Sequence, residues 1–397
     1  MAPESAAARL HPLHRAWRLL PQGARRAMLR QATALLAPRP DRPAPAVQPG
    51  IAVGGELDRA SGLGEAARLM MHGLEALDVP CWPVRPGGPA PPPGVPLVLH
   101  VNAPSLPLAL LRLGRPLLRG RRLVGAWAWE LPVVPESWRA GLPFVHEVWT
   151  LSRFSAEALA PLLPGGVRVV PPPLAAHPPT PSALDRAAFG LPEDAIVTLV
   201  AFNLASSFER KNPLAAIAAH RAAFGDRMDR VLLLRVGNPH HFPADFARLQ
   251  AAATAPNVRL DTNTLPRDDA HALMAACDIV LSLHRSEGFG LVPAEAMLLG
   301  KPVVATDWSG TRDFMDADCA ALVPARLIPA RDPRGVFEAP GAVWADADVG
   351  AAADWLIRLA EDGGLRRQMG EAGRARAQAR LGTAPLARAV RALRPAS

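Results

Sequence analysis

The sequence predicts an α/β protein built from two doubly wound domains that face each other across a cleft. Its 397 residues exceed the usual size of one compact core and suit two domains. Continuous apolar runs alternate with helical patterns in both halves, as is typical of parallel strands buried on both faces. A segment with six prolines in twelve residues, 171–182, separates the halves and is interpreted as a linker.

The first half is predicted to follow a basic, proline-rich leader. Residues 1–48 are predicted to form this arm and spacer, and residues 49–175 the first domain. Its strands are predicted at 51–55, 96–102, 123–127, 147–151 and 167–170, with a helix at 62–77.

The second half repeats the alternation. Residues 176–383 are predicted to form the second domain, and residues 384–397 a C-terminal helix that crosses back to the first domain. Apolar strands are predicted at 196–203, 231–236, 257–260, 278–283 and 302–306. Helices are predicted near 213–224, 243–253, 266–276 and 293–299, and the tail at 348–393 is also expected to be helical.

The positive charge is concentrated in the arm. The whole chain has a net charge of +8, and residues 1–45 hold eight arginines against two acids, so 8 − 2 = +6 of it lies there. A nucleic-acid-binding protein would more often spread its basic residues over a folded face. We therefore expect no nucleic-acid partner, whereas a basic amphipathic helix around residues 23–37 would suit an anionic membrane surface.

Three cysteines, Cys81, Cys277 and Cys319, lie far apart without metal-ligand spacing. They are interpreted as reduced thiols, and we expect a cytoplasmic protein with peripheral contact to the inner membrane through residues 1–45. The sequence contains no uninterrupted apolar run of about 18 residues, so no membrane-spanning helix is predicted.

A candidate ligand site lies in "HRSEGFGLVPAEAMLLG", residues 284–300. Two acids, Glu287 and Glu295, flank a turn that contains Gly288 and Gly290. The helix after the turn is predicted at 292–299, with Glu287 in the loop before it and Glu295 in its first turn. The amides of Phe289, Gly290 and Leu291 are then expected to point at an anion.

The alternative is purely structural, because an acid in the first turn stabilises a helix by about 0.3–1 kcal/mol without any function. The pair of acids, the two glycines and the position after a buried strand favour a ligand site instead.

A second candidate segment, "SFERKNP" at 207–213, contains one of only two lysines in the chain, Lys211 and Lys301. Arg210 and Lys211 are expected to grip the oxygens of a diphosphate. Because no histidine–carboxylate cluster has metal-ligand spacing, these side chains are predicted to supply the positive charge without a metal.

These motifs resemble those of the family 4 retaining glycosyltransferases, the group 1 type with the GT-B fold. "SEGFGLVPAEAM" resembles the family's E-x7-E signature, which implies that Glu287 lies beside a donor sugar and that Glu295 contacts a ribose. "SFERKNP" is similar to its diphosphate-binding segment, and "SGLGEAAR", with Gly62 and Gly64, to its first-domain glycine loop. The resemblance covers roughly residues 50–385.

On the acceptor side, "GAWAWELPVVPESW" (125–138) and "EVWTLSRFSAEAL" (147–159) resemble a bacterial subgroup that acts on polysaccharide or lipid-linked acceptors. His100 ends a predicted strand and is expected to face the cleft, where the resemblance implies a histidine near the donor sugar. Glu130 and Trp129 are candidates for acceptor contacts, although tryptophans beside a strand are usually core residues.

The predicted function is metal-independent, front-face transfer of a hexose from a nucleotide-diphospho-sugar to a glycan or lipid-linked acceptor. No cofactor is expected, since the nucleotide sugar is a co-substrate. Three alternatives remain. The spacing of Gly62, Gly64 and Ala67 also matches a dinucleotide fingerprint, which would indicate an oxidoreductase. A non-catalytic nucleotide-sugar-binding protein and a sugar-nucleotide epimerase share the same fold.

Overall fold

The computed structural model describes residues 22–59 and 61–393, and they form two parallel six-stranded sheets. The first sheet has the strand order β2-β1-β3-β4-β5-β6, and the second has β12-β11-β10-β7-β8-β9. All pairs within both sheets are parallel. The predicted α/β class with two doubly wound domains is therefore confirmed.

The first sheet comprises six short strands at the following positions: β1 Ile51–Gly55, β2 Cys81–Val84, β3 Leu97–His100, β4 Leu123–Trp127, β5 Glu147–Thr150 and β6 Val167–Val169. The helices before and around it are α1 Gln22–Leu36, α2 Gly62–Glu75, α3 Leu106–Leu113, α4 Arg115–Leu118 and α5 Arg153–Leu159. The sequence prediction missed β2, because its four residues include a proline and lie at the edge of the sheet.

The second sheet comprises β7 Ile196–Asn203, β8 Arg230–Gly237, β9 Val258–Asp261, β10 Ile279–Ser282, β11 Val303–Thr306 and β12 Ala321–Val323. Its helices are α6 Phe208–Lys211, α7 Pro213–Phe224, α8 Pro243–Ala252, α9 Arg267–Ala276, α10 Leu291–Leu298, α11 Val349–Glu361 and α12 Gly363–Arg380. The predicted strands of this half lie within about one residue of the observed ones, because their apolar runs are long and continuous.

Each sheet has a point at which the strand order reverses. In the second sheet, β7 and β10 are neighbours from which the chain winds outward in opposite directions, and in the first sheet β1 and β3 have this relation. Loops at the carboxyl ends of such strand pairs separate and leave a crevice, which is where ligands bind in open α/β sheets.

An antiparallel hairpin, β13 Ala325–Pro329 and β14 Val343–Ala347, was not predicted. We call residues 325–347 the strap, because it leaves the second domain and packs on the first. Its buried Phe337 and Trp344 belong to the apolar cluster that contains Trp129 and Trp138. Each strand of the strap contains one charged residue, Arg326 or Asp346, and β13 ends in a proline, so neither has the continuous apolar pattern of the sheet strands.

The last described helix, α13 Ala384–Leu393, returns to the first domain. Leu386, Val390 and Leu393 are buried in one apolar cluster with residues of β1. Within residues 22–59 and 61–393, no helix is both long enough and apolar enough to cross a membrane. Of the arm, residues 1–21 lie outside the described residues, and α1 packs beside α3.

Candidate active site

The loops at the two points of strand reversal enclose one cavity of about 620 Å³ between the domains. This volume is within the usual range for sites that bind small molecules. The loops after β7 and β10 contribute Arg210, Lys211 and Glu287, and those after β1 and β3 contribute Gly62 and Asn102. The structure therefore brings the two predicted motifs of the second domain to one face of the cleft.

The turn at Glu287 is held by close backbone contacts. The Glu287 N–H donates to Ser309 Oγ at 2.8 Å, and its carbonyl accepts from the Gly310 N–H at 2.9 Å. Gly290 has φ +98°, and a Cβ there would lie 2.5 Å from Thr311 Cγ2, so only glycine fits without strain. The turn is thus fixed before any ligand binds.

Helix α10 begins at Leu291, directly after the turn, and no side chain caps it. The unpaired amides of its first turn and its positive end face the cavity, since residues 288–293 line it. An anion can accept these hydrogen bonds.

The position of Glu295 differs from the prediction. Because α10 begins one residue earlier than predicted, Glu295 is its fifth residue and lies beyond the first turn. Its Oε1 lies 3.8 Å from Nε2 of the buried His271. Among the described residues that line the cavity, Glu295 is absent.

Glu287 is paired with both predicted cations. Lys211 Nζ contacts Glu287 Oε1, and Arg210 Nη1 lies 3.2 Å from Glu287 Oε2. Although burial opposes ionisation, Lys211 and Arg210 lower the pKa of Glu287 to about 2. Glu287 is therefore a carboxylate at every physiological pH.

Arg210 is 3% exposed and is held more firmly than an ordinary loop cation. Its guanidinium donates to the carbonyls of Ser286 at 2.8 Å and Ser206 at 3.0 Å. Burial disfavours the charged form of Arg210, but the negative charges of Glu287 and Glu130 outweigh the effect of burial. The pKa of Arg210 is therefore raised. Arg210 fixes the loops after β7 and β10 relative to each other, while Lys211 is the more accessible cation, with 19% of its side chain exposed.

Glu130 lies on the first-domain side of this charge cluster, with Oε1 4.0 Å from Arg210 Nη2. Burial raises the pKa of Glu130, and although Arg210 opposes this shift, the nearby Glu287 reinforces it. Glu287 and Glu130 thus have pKa values shifted in opposite directions, an arrangement that separates their chemical roles.

His100 does not face the cleft, contrary to the sequence expectation. Its ring is 1% exposed, and Nε2 lies 3.4 Å from Met70 Sδ inside the first domain. Burial lowers the pKa of His100 to about 3.

Asn102, two residues further on, lines the cavity instead, and its Oδ1 accepts from the Ala128 N–H at 2.8 Å. The sequence could have indicated Asn102 through its position just beyond the end of a strand, because such residues reach the crevice.

We expect His100→Leu to reduce the acid sensitivity of folding while leaving ligand binding unchanged. The unfolded chain takes up a proton at His100 below about pH 6.5, whereas the folded chain does so only near pH 3. The free energy of unfolding therefore falls as pH falls through this window, by about 2 kcal/mol at pH 5 from this group. Urea unfolding of the wild-type protein and of His100→Leu at pH 7 and pH 5 measures this change in the free energy of unfolding. An equal change in both proteins would contradict the assignment.

The first-domain glycines have different roles. Gly62 lines the cavity, and a Cβ there would meet no atom within 4 Å. Gly64 lies behind it, where a Cβ would be 2.4 Å from the carbonyl oxygen of Glu56. Ser61 Oγ already accepts from the Gly64 N–H at 3.1 Å and caps α2. Gly62 is therefore open to a ligand, and Gly64 serves packing.

Trp129 is 3% exposed and packs against Trp138 and Phe337, as a core residue does. Its indole N–H donates to the Val133 carbonyl at 2.9 Å, so its hydrogen-bonding group is already used.

The far end of the cavity was not predicted. Residues 235–240, which form the end of β8 and the loop after it, and residues 262–265, after β9, line it there. Their composition carries no recognisable motif, and only the order of the strands reveals that these loops adjoin the crevice.

Among residues 22–59 and 61–393, no group of three or more histidine, cysteine or acidic side chains could hold a metal ion. Two pairs of aspartates with one residue between them, Asp316/Asp318 and Asp346/Asp348, do occur in the sequence but lie outside the cavity lining. Asp316 pairs with Arg376, Asp346 pairs with Arg326, and Asp348 caps α11.

Part of the chain resembles known glycosyltransferases in sequence. Residues 202–346 match the model of the family described as "Glycosyl transferases group 1". Over 207 residues the chain is 30% identical to the D-inositol 3-phosphate glycosyltransferase of Nocardioides sp.. That alignment covers 49% of this chain and 40% of the relative, so the chain matches less than half the length of that protein.

Solved glycosyltransferase structures share the fold. HepE of Anabaena, in complex with UDP and glucose, superposes with a TM-score of 0.59 at 15% identity, over 87% of this chain and 99% of HepE. WaaG, a glycosyltransferase involved in lipopolysaccharide biosynthesis, gives a TM-score of 0.54 at 18% identity, over 87% and 100% of the two chains. The two-domain arrangement is therefore the GT-B fold.

Proposed function

We propose that the protein is a glycosyltransferase that moves a hexose from a nucleotide-diphospho-sugar to a glycan or lipid-linked acceptor. The observation that carries this proposal is the charge cluster of Glu287, Lys211 and Arg210 at the uncapped end of α10. It sits in a cavity between two doubly wound domains, where open α/β sheets bind ligands. The family match over residues 202–346 covers all three residues.

In this proposal the diphosphate lies between Lys211 and the first amides of α10. The ammonium of Lys211 and the free N–H groups stabilise negative charge that grows as the sugar–phosphate bond breaks. Glu287, kept ionised by its two cations, accepts hydrogen bonds from hydroxyls of the donor sugar. The loops at 235–240 and 262–265 are then positioned to receive the nucleoside. Glu295, in the second turn of α10, would contact the ribose only if it gave up its contact with His271.

The reaction we propose is a front-face transfer that retains configuration. The acceptor oxygen bonds to the anomeric carbon on the side from which the phosphate oxygen departs. That phosphate oxygen takes the proton of the acceptor hydroxyl, so no strong base is needed. No metal is required in this scheme, because side chains and amides provide the positive charge.

The dinucleotide-dependent alternative is less well supported by the geometry. Residues 56–61 separate β1 from α2, and Ser61 caps the helix at the point where a pyrophosphate would have to sit. The tight strand–turn–helix that the fingerprint requires is therefore missing between β1 and α2.

We also propose peripheral contact with an anionic membrane through the arm. Met28, Leu29, Leu35 and Leu36 on α1 are at least 50% exposed, and Leu108 on the neighbouring α3 is 42% exposed. Exposed leucines beside an arginine-rich segment suit a headgroup surface, and a lipid-linked acceptor would be presented there.

The proposed donor can be tested by thermal unfolding in the presence of UDP-, GDP-, ADP- and CMP-sugars. A ligand at 100 times its dissociation constant stabilises the folded state by about 2.7 kcal/mol, so one nucleotide class is expected to raise Tm by several degrees. NADH and NADPH serve as controls. Stabilisation by a nicotinamide dinucleotide alone would overturn the proposal in favour of the oxidoreductase.

A further inference from the structure

A second cavity, of about 220 Å³, lies directly beside the cavity of about 620 Å³ in which we propose that the nucleotide sugar binds, called the donor cavity here. It is bounded by the first domain, by the loop after β7 and by the strap. Four residues line both cavities: Asn102, Glu130, Ser206 and Arg210. A molecule in the second cavity is therefore separated from the donor site only by side chains that face both.

The strap forms a rigid outer wall of this cavity. Phe337 stacks on Trp129 with ring centroids 5.6 Å apart, and the Arg210 guanidinium lies 5.0 Å over the Phe337 ring. Asp332, 1% exposed, accepts hydrogen bonds from the Val336 and Phe337 amides at 3.0 and 3.1 Å. The wall is thus fixed to both domains, so the size of the cavity is set in advance.

The two guanidinium groups beside the second cavity, those of Arg210 and Arg334, are already paired. Arg334 contacts Asp245 and donates to the Leu204 carbonyl at 2.5 Å, while Arg210 is occupied by Ser206, Ser286 and Glu287. Neither guanidinium is free to receive an anion. By contrast, Arg210 lies 4.0 Å from the Glu130 carboxylate, beyond hydrogen-bond distance, and 20% of the Glu130 side chain is exposed. The carboxyl group of Glu130 is thus open to a further hydrogen bond, which suits a hydroxyl of a neutral molecule.

We propose that this second cavity is the acceptor subsite and that it admits a single neutral, hydroxylated ring, such as a terminal sugar residue. This inference rests on the proposed transferase function. Glu130 is a positioning residue that accepts a hydrogen bond from the ring, and the strap limits the ring's size. Glu130 transfers no proton, because the proton of the attacking hydroxyl goes to the departing phosphate oxygen. A volume of about 220 Å³ is below the usual range for drug-sized ligands, which is why one ring is specified.

The test fills the subsite from the side that does not touch the donor. Val336 lines only the second cavity and is 53% exposed, so Val336→Trp narrows the cavity without removing a buried side chain. Leu327, also on the strap and 51% exposed, lies outside both cavity linings. Leu327→Trp is therefore the matched control.

Binding of methyl glucoside, methyl mannoside and methyl galactoside, and of their 6-phosphates, is measured by ligand-observed NMR with UDP-, GDP- or ADP-sugar present. We expect a neutral glycoside to bind the wild-type protein, to bind Val336→Trp at least tenfold more weakly, and to bind Leu327→Trp unchanged. Unaltered binding to Val336→Trp, binding of phosphorylated glycosides alone, or no glycoside binding would overturn the subsite.

The donor dissociation constant is measured separately by calorimetry and is expected to be equal in all three proteins. Failure of every nucleotide sugar to bind would instead reject the proposed transferase function, so the two failures are distinguishable.

Discussion

Glu287→Gln is expected to lower kcat/KM for sugar transfer by roughly 100- to 1,000-fold, the effect of removing one preorganised group that acts on the reacting charge. The amide keeps the shape of the side chain but loses the negative charge that orients the sugar and balances two cations. Lys211 and Arg210 would then face a neutral group, and Arg210 is almost fully buried. Release of nucleoside diphosphate, followed with the donor class found by thermal unfolding, measures the loss.

Glu209→Gln is the matched control for this variant. Glu209 lies two residues before Lys211 and pairs with Arg248 at 2.8 Å and Arg285 at 3.1 Å, outside the cavity lining. Glu209→Gln removes a carboxylate from α6, next to Arg210 and Lys211, without removing a group that lines the donor site. Transfer within about twofold of wild type is expected for Glu209→Gln, since Glu209 does not line the cavity and glutamine keeps the size of its side chain. Comparable losses in both variants would show that Glu287→Gln acts by disturbing the local structure and not by removing a contact with the donor.

Lys211→Met is expected to lower kcat by roughly 100- to 1,000-fold and to weaken binding of the free nucleoside diphosphate. Lys211 is the accessible cation of the cluster, and its loss removes the charge that stabilises the departing phosphate. It also removes one of the two charges that lower the pKa of Glu287, so that pKa rises. Activity should therefore be lost at a higher pH on the acid side than in the wild-type protein.

The only other lysine provides the control. Lys301 follows α10, and burial lowers its pKa, but it does not line the cavity. Lys301→Met is expected to change stability slightly and to leave the affinity for nucleoside diphosphate unaltered. If Lys211→Met bound and turned over the donor as the wild-type protein does, the charge cluster would lose its assigned role.

The sequence predicted the long strands of the second sheet better than short edge strands such as β2 and β12. Strands such as β7 and β8 are eight residues long and mostly apolar, which pattern alone identifies. The four-residue β2 contains Pro83, and each five-residue strand of the strap is interrupted by a charged residue, so neither has that signature. Their positions are set by tertiary packing, which a linear pattern does not encode.

For the site, local motifs were informative and long-range placement was not. Glu287, Arg210 and Lys211 lie in short segments with unusual composition, and the structure brings them into contact although 76 positions separate Lys211 from Glu287. His100 and Asn102 are only two residues apart, yet one is buried and the other lines the cleft. That difference depends on where β3 ends, and strand ends are the least certain part of a sequence prediction.

The return of α13 to the first sheet affects how the chain can mature on the ribosome. Leu386, Ala389, Val390 and Leu393 complete a core begun by Ile51 and Val53 more than 300 positions earlier. Domains normally fold in order as they emerge during synthesis. Here the amino-terminal half emerges first but finishes last, since its core stays open until residue 393 is translated. The carboxy-terminal half can fold meanwhile, so we expect the nascent protein to pass through a stage in which only its second domain is complete.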